Sequence, residues 1–229
     1  VNSMQLFCFD SYGLFITTTP ATITSHGEEF GEFTATIPKN TRRIHFIANQ
    51  NMTDFQEDEF RNKSEADVIA LLEGSSGMMI YWARFACDAN NEEPIDQQLA
   101  KNPNIIMIRN QAKITIDNPT GNGYLVVTGF TAYNTNAFGT VAPYHPTKGW
   151  VWSSNADVEP FVTLPANDAK LSDIQDVQDI SLNPELYVFE CENSSEDPVS
   201  VIIRGYLPGE SEELYYRVML IKENGEQEL

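Results

Sequence analysis

Short runs of alternating apolar and polar residues, each closed by turn chemistry, constrain this chain more than any other feature. Phe30 to Ile37 sets Phe30, Glu32, Thr34 and Thr36 against Gly31, Phe33, Ala35 and Ile37. Arg43 to Ala48 places Ile44, Phe46 and Ala48 on one face and Arg43, His45 and Ile47 on the other. A period of two is the signature of a half-buried strand, because successive side chains point to opposite faces. On that pattern His45 is a strand residue facing solvent or a polar neighbour, not a catalyst. Further strands are read at Met4 to Phe9, Leu14 to Thr19, Met78 to Phe85, Ile105 to Asp117 and Gly123 to Tyr133, and near Trp150 to Trp152. Others follow at Phe161 to Leu164, Leu186 to Cys191, Val199 to Leu207 and Leu214 to Ile221. Turns recurring roughly every 8–12 residues predict an all-β chain of sandwich architecture.

One helix interrupts the strands. Ser64 is a suitable N-cap, Glu65 and Asp67 stand in the first turn where the dipole favours acids, and Val68, Leu71 and Leu72 follow at helical spacing. A second helical turn is expected within Asp54 to Arg61. Asp88 to Asn104 is polar and Pro-containing, so it reads as a loop, as does the acidic stretch Ala166 to Leu182.

The 229 residues carry 33 acidic and 14 basic side chains, a net charge of −19. Nucleic-acid binding is excluded on that ground, since phosphates must be neutralised by Lys and Arg; docking on an anionic leaflet is disfavoured equally. Residues 1–155 carry −6 and residues 156–229 carry −13. This shift suggests two domains, 1–150 and 151–229, the second short and incomplete. Asn224-Gly225 is a strong hairpin signal, yet only Glu226 to Leu229 follow it, so at least one sheet is expected to need a strand from elsewhere. No apolar run approaches the ~20 residues that span a bilayer. No signal peptide heads the sequence, and we expect a mature or trimmed chain.

Catalytic signatures are missing. The sequence has no phosphate loop, GxSxG elbow or HExxH motif. Gly121-Asn122-Gly123 reads as a hairpin turn. His26, His45 and His145 share no ligand spacing, and Cys8, Cys87 and Cys191 are too dispersed for a zinc site. The cysteines read as small buried hydrophobes, with no disulfide between Cys8 and Cys191. Acid pairs such as Glu28-Glu29, Glu92-Glu93 and Glu212-Glu213 read as solvated surface, not as a glycosidase pair. The groups Asp54/Glu57/Asp58/Glu59 and Asp173/Asp176/Asp179 do not reproduce a calcium loop. We therefore expect a non-enzymatic protein without metal or cofactor. Tyr144, Trp150 and Trp152 form the one aromatic group suited to stacking on a glycan, which makes a surface carbohydrate-binding module the alternative function.

Several stretches, in order, resemble the fimbrillin family of Bacteroidales, the subunits of type V pili. Leu6-Phe7-Cys8-Phe9-Asp10-Ser11-Tyr12-Gly13-Leu14-Phe15 is similar to the family's opening strand and turn. Ile37-Pro38 with Arg43 to Asn49, and Met107 to Ile116, resemble its next core strands. Gly129-Phe130, Tyr133-Asn134-Thr135 and Gly139 to Pro143 are similar to a further stretch. Leu186 to Asn193, Val201 to Tyr206 and Tyr215 to Val218 resemble its closing strands. The resemblance implies two transthyretin-like Greek-key β-sandwich domains with one short helix in the first. It also implies a precursor exported as an outer-membrane lipoprotein, a fimbrial location at the cell surface, and other pilus subunits as partners. Assembly in such a family is by β-strand addition: a protease removes an N-terminal strand and a partner's strand completes the sheet. Neither a lipobox cysteine with a leading strand before Val1 nor the family's final strand after Leu229 lies within these residues.

Overall fold

The computed structural model describes residues 1–27, 30–75, 78–101, 103–117, 124–143, 162, 174–176, 184–193 and 196–220. The fold is mostly β, with few helices. It divides into two compact units, one formed by Val1–Asn110 with Thr140–Thr163 and the other by Gln111–Gly139 with Leu164–Leu229. The units are interleaved, whereas the shift in charge had suggested a sequential split near residue 150. Charge density describes the surface; the partition follows strand pairing.

The first unit contains strands β1 (Met4–Phe9), β2 (Phe15–Pro20), β3 (Thr22–His26), β4 (Gly31–Thr34), β5 (Arg43–Ala48), β6 (Glu73–Ser75), β7 (Tyr81–Ala86) and β8 (Ile108–Arg109), with helices α1 (Glu65–Ala70) and α2 (Ile95–Lys101). Its main sheet has the order β2-β1-β5-β7-β8, and β3 and β4 form a separate antiparallel hairpin. The sheet is buried on both faces. Phe7, Phe9, Ile47 and Trp82 pack on one side with Phe15, Phe60, Val68, Ile69, Val141 and Val162. Leu6, Cys8, Ile44, Phe46 and Ala83 pack on the other, against Phe33, Ile37, Leu99 and Ile105. The 3-10 turn Glu57–Phe60 stacks Phe60 on Phe55 at 4.4 Å between ring centroids.

The expected cap at Ser64 is present. The Ser64 hydroxyl accepts the Asp67 N–H at 3.2 Å, and Asp67 accepts the Ser64 N–H at 3.3 Å, a reciprocal capping box. Asp88 to Asn104 departs from the loop reading, because it contains α2, so among its described residues the first unit holds two short helices and not one. Pro94 accepts the N–H groups of Gln97 and Gln98, Asp96 stands in the first turn, and Ile95 and Gln98 are buried one turn apart. The stretch Ile105 to Asp117 is broken into two strands at Asn110, where the chain passes between units. His45 is fully buried, so of the two surroundings expected for it, solvent or a polar neighbour, the structure shows the second: both faces of β5 are covered.

The second unit contains β9 (Gln111–Thr115), β10 (Val126–Tyr133), β12 (Gln175–Asp176), β13 (Glu185–Phe189), β14 (Ser200–Tyr206) and β15 (Leu214–Met219); β11 (Phe138–Thr140) lies where the chain returns to the first. One sheet has the order β12-β10-β14-β15, and β13 pairs with β9 in a second. Phe130, Ala132 and Val201 of the first sheet meet Leu186 and Val188 of the second, a sandwich-like core. The Asn224-Gly225 turn, the Gly121-Asn122-Gly123 turn and the strands expected near residues 150–152 lie outside the described residues.

Candidate functional site

The first cluster to test as a site is polar and buried. Glu65, at the start of α1, accepts from Arg84 Nε at 2.9 Å and Nη2 at 3.0 Å, and from Arg43 Nη1 at 2.7 Å. His45 Nε2 lies 3.0 Å from Glu65 Oε1, and the indole N–H of Trp82 donates to His45 Nδ1 at 3.0 Å. Trp82 is a donor only, so His45 carries its proton on Nε2 and donates it to Glu65. Burial lowers the His45 pKa and holds the ring neutral. Burial alone would raise Glu65, but the hydrogen bonds from His45 and Arg84, with the Arg84 charge, outweigh it and hold the carboxyl well below the usual carboxylate range. A carboxylate–histidine pair suggests acid–base chemistry, yet both groups are enclosed and each imidazole nitrogen is engaged. This cluster fastens α1 to the sheet. Gly13, at φ +77°, completes the fastening: its carbonyl accepts the Glu65 N–H, and a Cβ there would stand 2.6 Å from Arg43 Nη1.

The opposite face of the same sheet carries a groove. Its floor is Leu6, Ile44 and Phe46, from β1 and β5. One wall is Phe33, Ala35 and Ile37, from β4 and the extended segment after it; the other is Asp96, Leu99 and Ala100 of α2 with Pro103 and Ile105. The cavity measures about 280 Å³, and Asp96 is the only charged residue lining it. β4 pairs with β3 on one side, and its other edge has no strand partner among the described residues.

Sheet edges are treated unequally. The β2 edge is blunted: Glu57 accepts the Thr18 N–H at 3.3 Å and the hydroxyls of Thr17 and Thr18 at 2.8 and 3.1 Å, and Pro20 ends the strand. Charge, proline and brevity are the usual protections of an edge; β8, at the far side, has two residues. β15 has no proline, its one charge is Arg217, and it is six residues long; among the described residues it is an edge strand whose Tyr215, Tyr216, Val218 and Met219 are all exposed.

The residues singled out for chemistry do not converge. Tyr144, Trp150 and Trp152 lie outside the described residues. Glu57 is engaged with β2, Asp58 pairs with Arg61, and Glu93 pairs with Lys101. Among the described residues no three His, Cys, Asp or Glu side chains are placed to hold a metal ion. No described helix is long and apolar enough to cross a membrane. Cys8, Cys87 and Cys191 are free and buried. Burial pushes the Cys8 thiol up to about 11, with the Thr41 hydroxyl opposing and the Glu57 charge assisting. Cys191 rises to about 11 through burial and the charges of Glu190 and Glu192. Since the thiolate is the reactive form, all three thiols should react sluggishly in the native protein. Titration with an aromatic disulfide should find three thiols in denaturant without reductant; additional thiols appearing only after reduction would contradict the assignment.

No protein-family model matches this chain, and no curated protein does. Among solved structures, the fold is similar to a crystal structure from Bacteroides eggerthii described as a "putative cell adhesion protein". The two align over 96% of this chain and 73% of that one, with a TM-score of 0.52 and 11% sequence identity. The likeness is one of fold.

Proposed function

We propose that this chain is a non-enzymatic structural or accessory subunit of a cell-surface fimbria, built of two transthyretin-like Greek-key sandwiches, which assembles by strand addition and supports adhesion. The observation that carries this reading is the groove above Leu6, Ile44 and Phe46, with Phe33 of β4 in one wall and no second strand partner for β4 among the described residues. An apolar trough beside an unpaired strand edge suits a donated strand: the edge supplies main-chain hydrogen bonds, and the pockets select alternate side chains. The fold likeness to a structure described as an adhesion protein supports the same reading, as do the fimbrillin-like motifs along the chain. Export as a lipidated precursor and attachment at the outer membrane belong to this proposal.

A synthetic strand peptide with Val or Ile at alternate positions tests it. A ligand that binds only the folded state at 100 times its Kd stabilises by about 2.7 kcal/mol, which for a chain of this size corresponds to a rise in melting temperature of roughly 5–10 °C. Leu99→Glu, placing a charge in the groove wall, should abolish the rise while leaving the circular dichroism spectrum unchanged. Indifference of the unmodified protein to every alternating peptide would overturn the proposal.

A further inference from the structure

The two walls of the groove are fastened in different ways. The α2 wall is tied down by polar contacts. The Arg42 guanidinium donates to the carbonyls of Asn91 and Glu93, the second at 2.8 Å. Gln98, buried on α2, donates to the same Glu93 carbonyl at 2.9 Å and accepts the Asp88 N–H at 3.1 Å. Arg42 is in turn fixed to the sheet, since its own N–H donates to the Phe9 carbonyl at 2.8 Å.

The opposite wall has no such ties. β3 and β4 form a two-stranded sheet of their own, apart from the five-stranded one. Among the described residues, every hydrogen bond made by Thr22 to Ser25 and by Phe30 to Ile37 stays within the hairpin, and no ion pair leaves it. Gly31, Glu32 and Thr34 are exposed, and Phe30 is 82% exposed. Phe33 and Ile37 are the hairpin side chains that pack on the apolar face of the main sheet, and both are half-buried. The Phe33 ring meets Phe46 edge-on, with centroids 5.9 Å apart. Both feet are tethered: the Ala21 N–H donates to the Met4 carbonyl at 2.9 Å, and the Thr41 N–H to the Pro38 carbonyl at 3.0 Å.

An element with few buried apolar contacts and no polar ties opens locally at a lower free energy than the core beneath it. We propose that the β3–β4 hairpin is a strap over the groove, latched by Phe33 against Phe46, and that its lifting as a unit is the way in to Leu6, Ile44 and Phe46. With the strap down, the cavity of about 280 Å³ is roughly twice the size that admits one benzene ring, room for one or two side chains. A strand presenting several alternate side chains needs the strap raised. Lifting uncovers Phe33, Ile37 and the groove floor, and the apolar side chains of an occupant would cover them again. The strap thus regulates the groove assigned above to a donated strand, and rests on that reading for its purpose; the lifting itself is measured with no donor present.

Hydrogen exchange of the full chain, followed residue by residue by NMR, should find the hydrogen-bonded amides of β3 and β4 at least about 100-fold less protected than those of β1 and β5. Leu6→Cys places a thiol on the groove floor but within β1. Its alkylation by iodoacetamide, distinguished from that of the three native cysteines by peptide mass, should show the protection of β4 and not that of β1. Phe33→Ala removes the latch and should weaken both protections in parallel, by at least about tenfold, while β1 and β5 stay as they were. A hairpin that exchanges only together with β1 and β5 would overturn the independent strap. A residue 6 thiol as protected as the β1 amides, or one indifferent to Phe33→Ala, would overturn lifting as the way in. Whether the groove accepts a strand is decided separately, by the melting experiment with the alternating peptide.

Discussion

Replacing Glu65 by alanine is expected to lower the stability of the first unit by about 3–5 kcal/mol, the usual result of removing one partner from a buried ion pair. Three side chains converge on this carboxylate: Arg43, His45 and Arg84. Arg84 is itself 7% exposed, so alanine would take a carboxylate away from an enclosed guanidinium. Glu65→Gln keeps an acceptor and the packing and should cost less. Urea denaturation followed by circular dichroism measures both. The same cluster sets the acid response. Burial holds His45 neutral in the folded protein, whereas the unfolded residue takes up a proton near pH 6.5. Stability should therefore fall as pH drops below about 6.5, by up to about 1.4 kcal/mol per pH unit. Glu65, depressed in the folded state, adds stability that is fully present above the unfolded carboxylate value of about 4.3 and disappears as pH falls further. In His45→Gln the upper part of this slope should vanish while the lower part remains. An unchanged slope between pH 6.5 and 4.5 would show that His45 does not control it.

Phe46→Ala should be comparably damaging, about 3–5 kcal/mol, because a fully buried aromatic is lost and the neighbours cannot collapse into its space. Phe46 is 2% exposed, packs edge-on against Phe33 at 5.9 Å, and forms part of the groove floor. Phe46→Leu conserves most of the volume and should cost less than about 1.5 kcal/mol. If the groove accepts a strand, Phe46→Leu should change which side chain the donor prefers at that pocket without abolishing binding. A loss below 1 kcal/mol for Phe46→Ala, measured in the same denaturation, would mean that the floor is looser than its burial indicates.

Strands carrying a continuous apolar–aromatic run, such as β1, β5, β7, β13, β14 and β15, were legible because periodicity and turn residues agreed. The α1 cap was legible because Ser64 and Asp67 satisfy each other locally. α2 was not, since only Ile95, Gln98 and Leu99 turn inward from an otherwise polar segment, and Gln98 has no apolar signature. For His45 the alternation left solvent or a polar neighbour open, and the fold decides for the polar neighbours Glu65 and Trp82 because both faces of β5 are covered. Neither candidate surface could be read ahead of the fold. The groove joins segments near residues 6, 35, 45 and 99, and the pairing of His45 and Arg84 with Glu65 bridges about twenty residues each way. Spacing along the chain carries no trace of such meetings.

The interleaving of the two units has a consequence for how the chain reaches its native state. Val141 and Val162 belong to the core of the first unit, so that core cannot close until residues beyond β10 have been made. By then β9 and β10 have already emerged, and their partners β13 and β14, about seventy residues further along the chain than the strands they pair with, have not. Order of synthesis and order of closure therefore differ. Pairings at such separation form slowly, and during that interval the strands have no partners of their own.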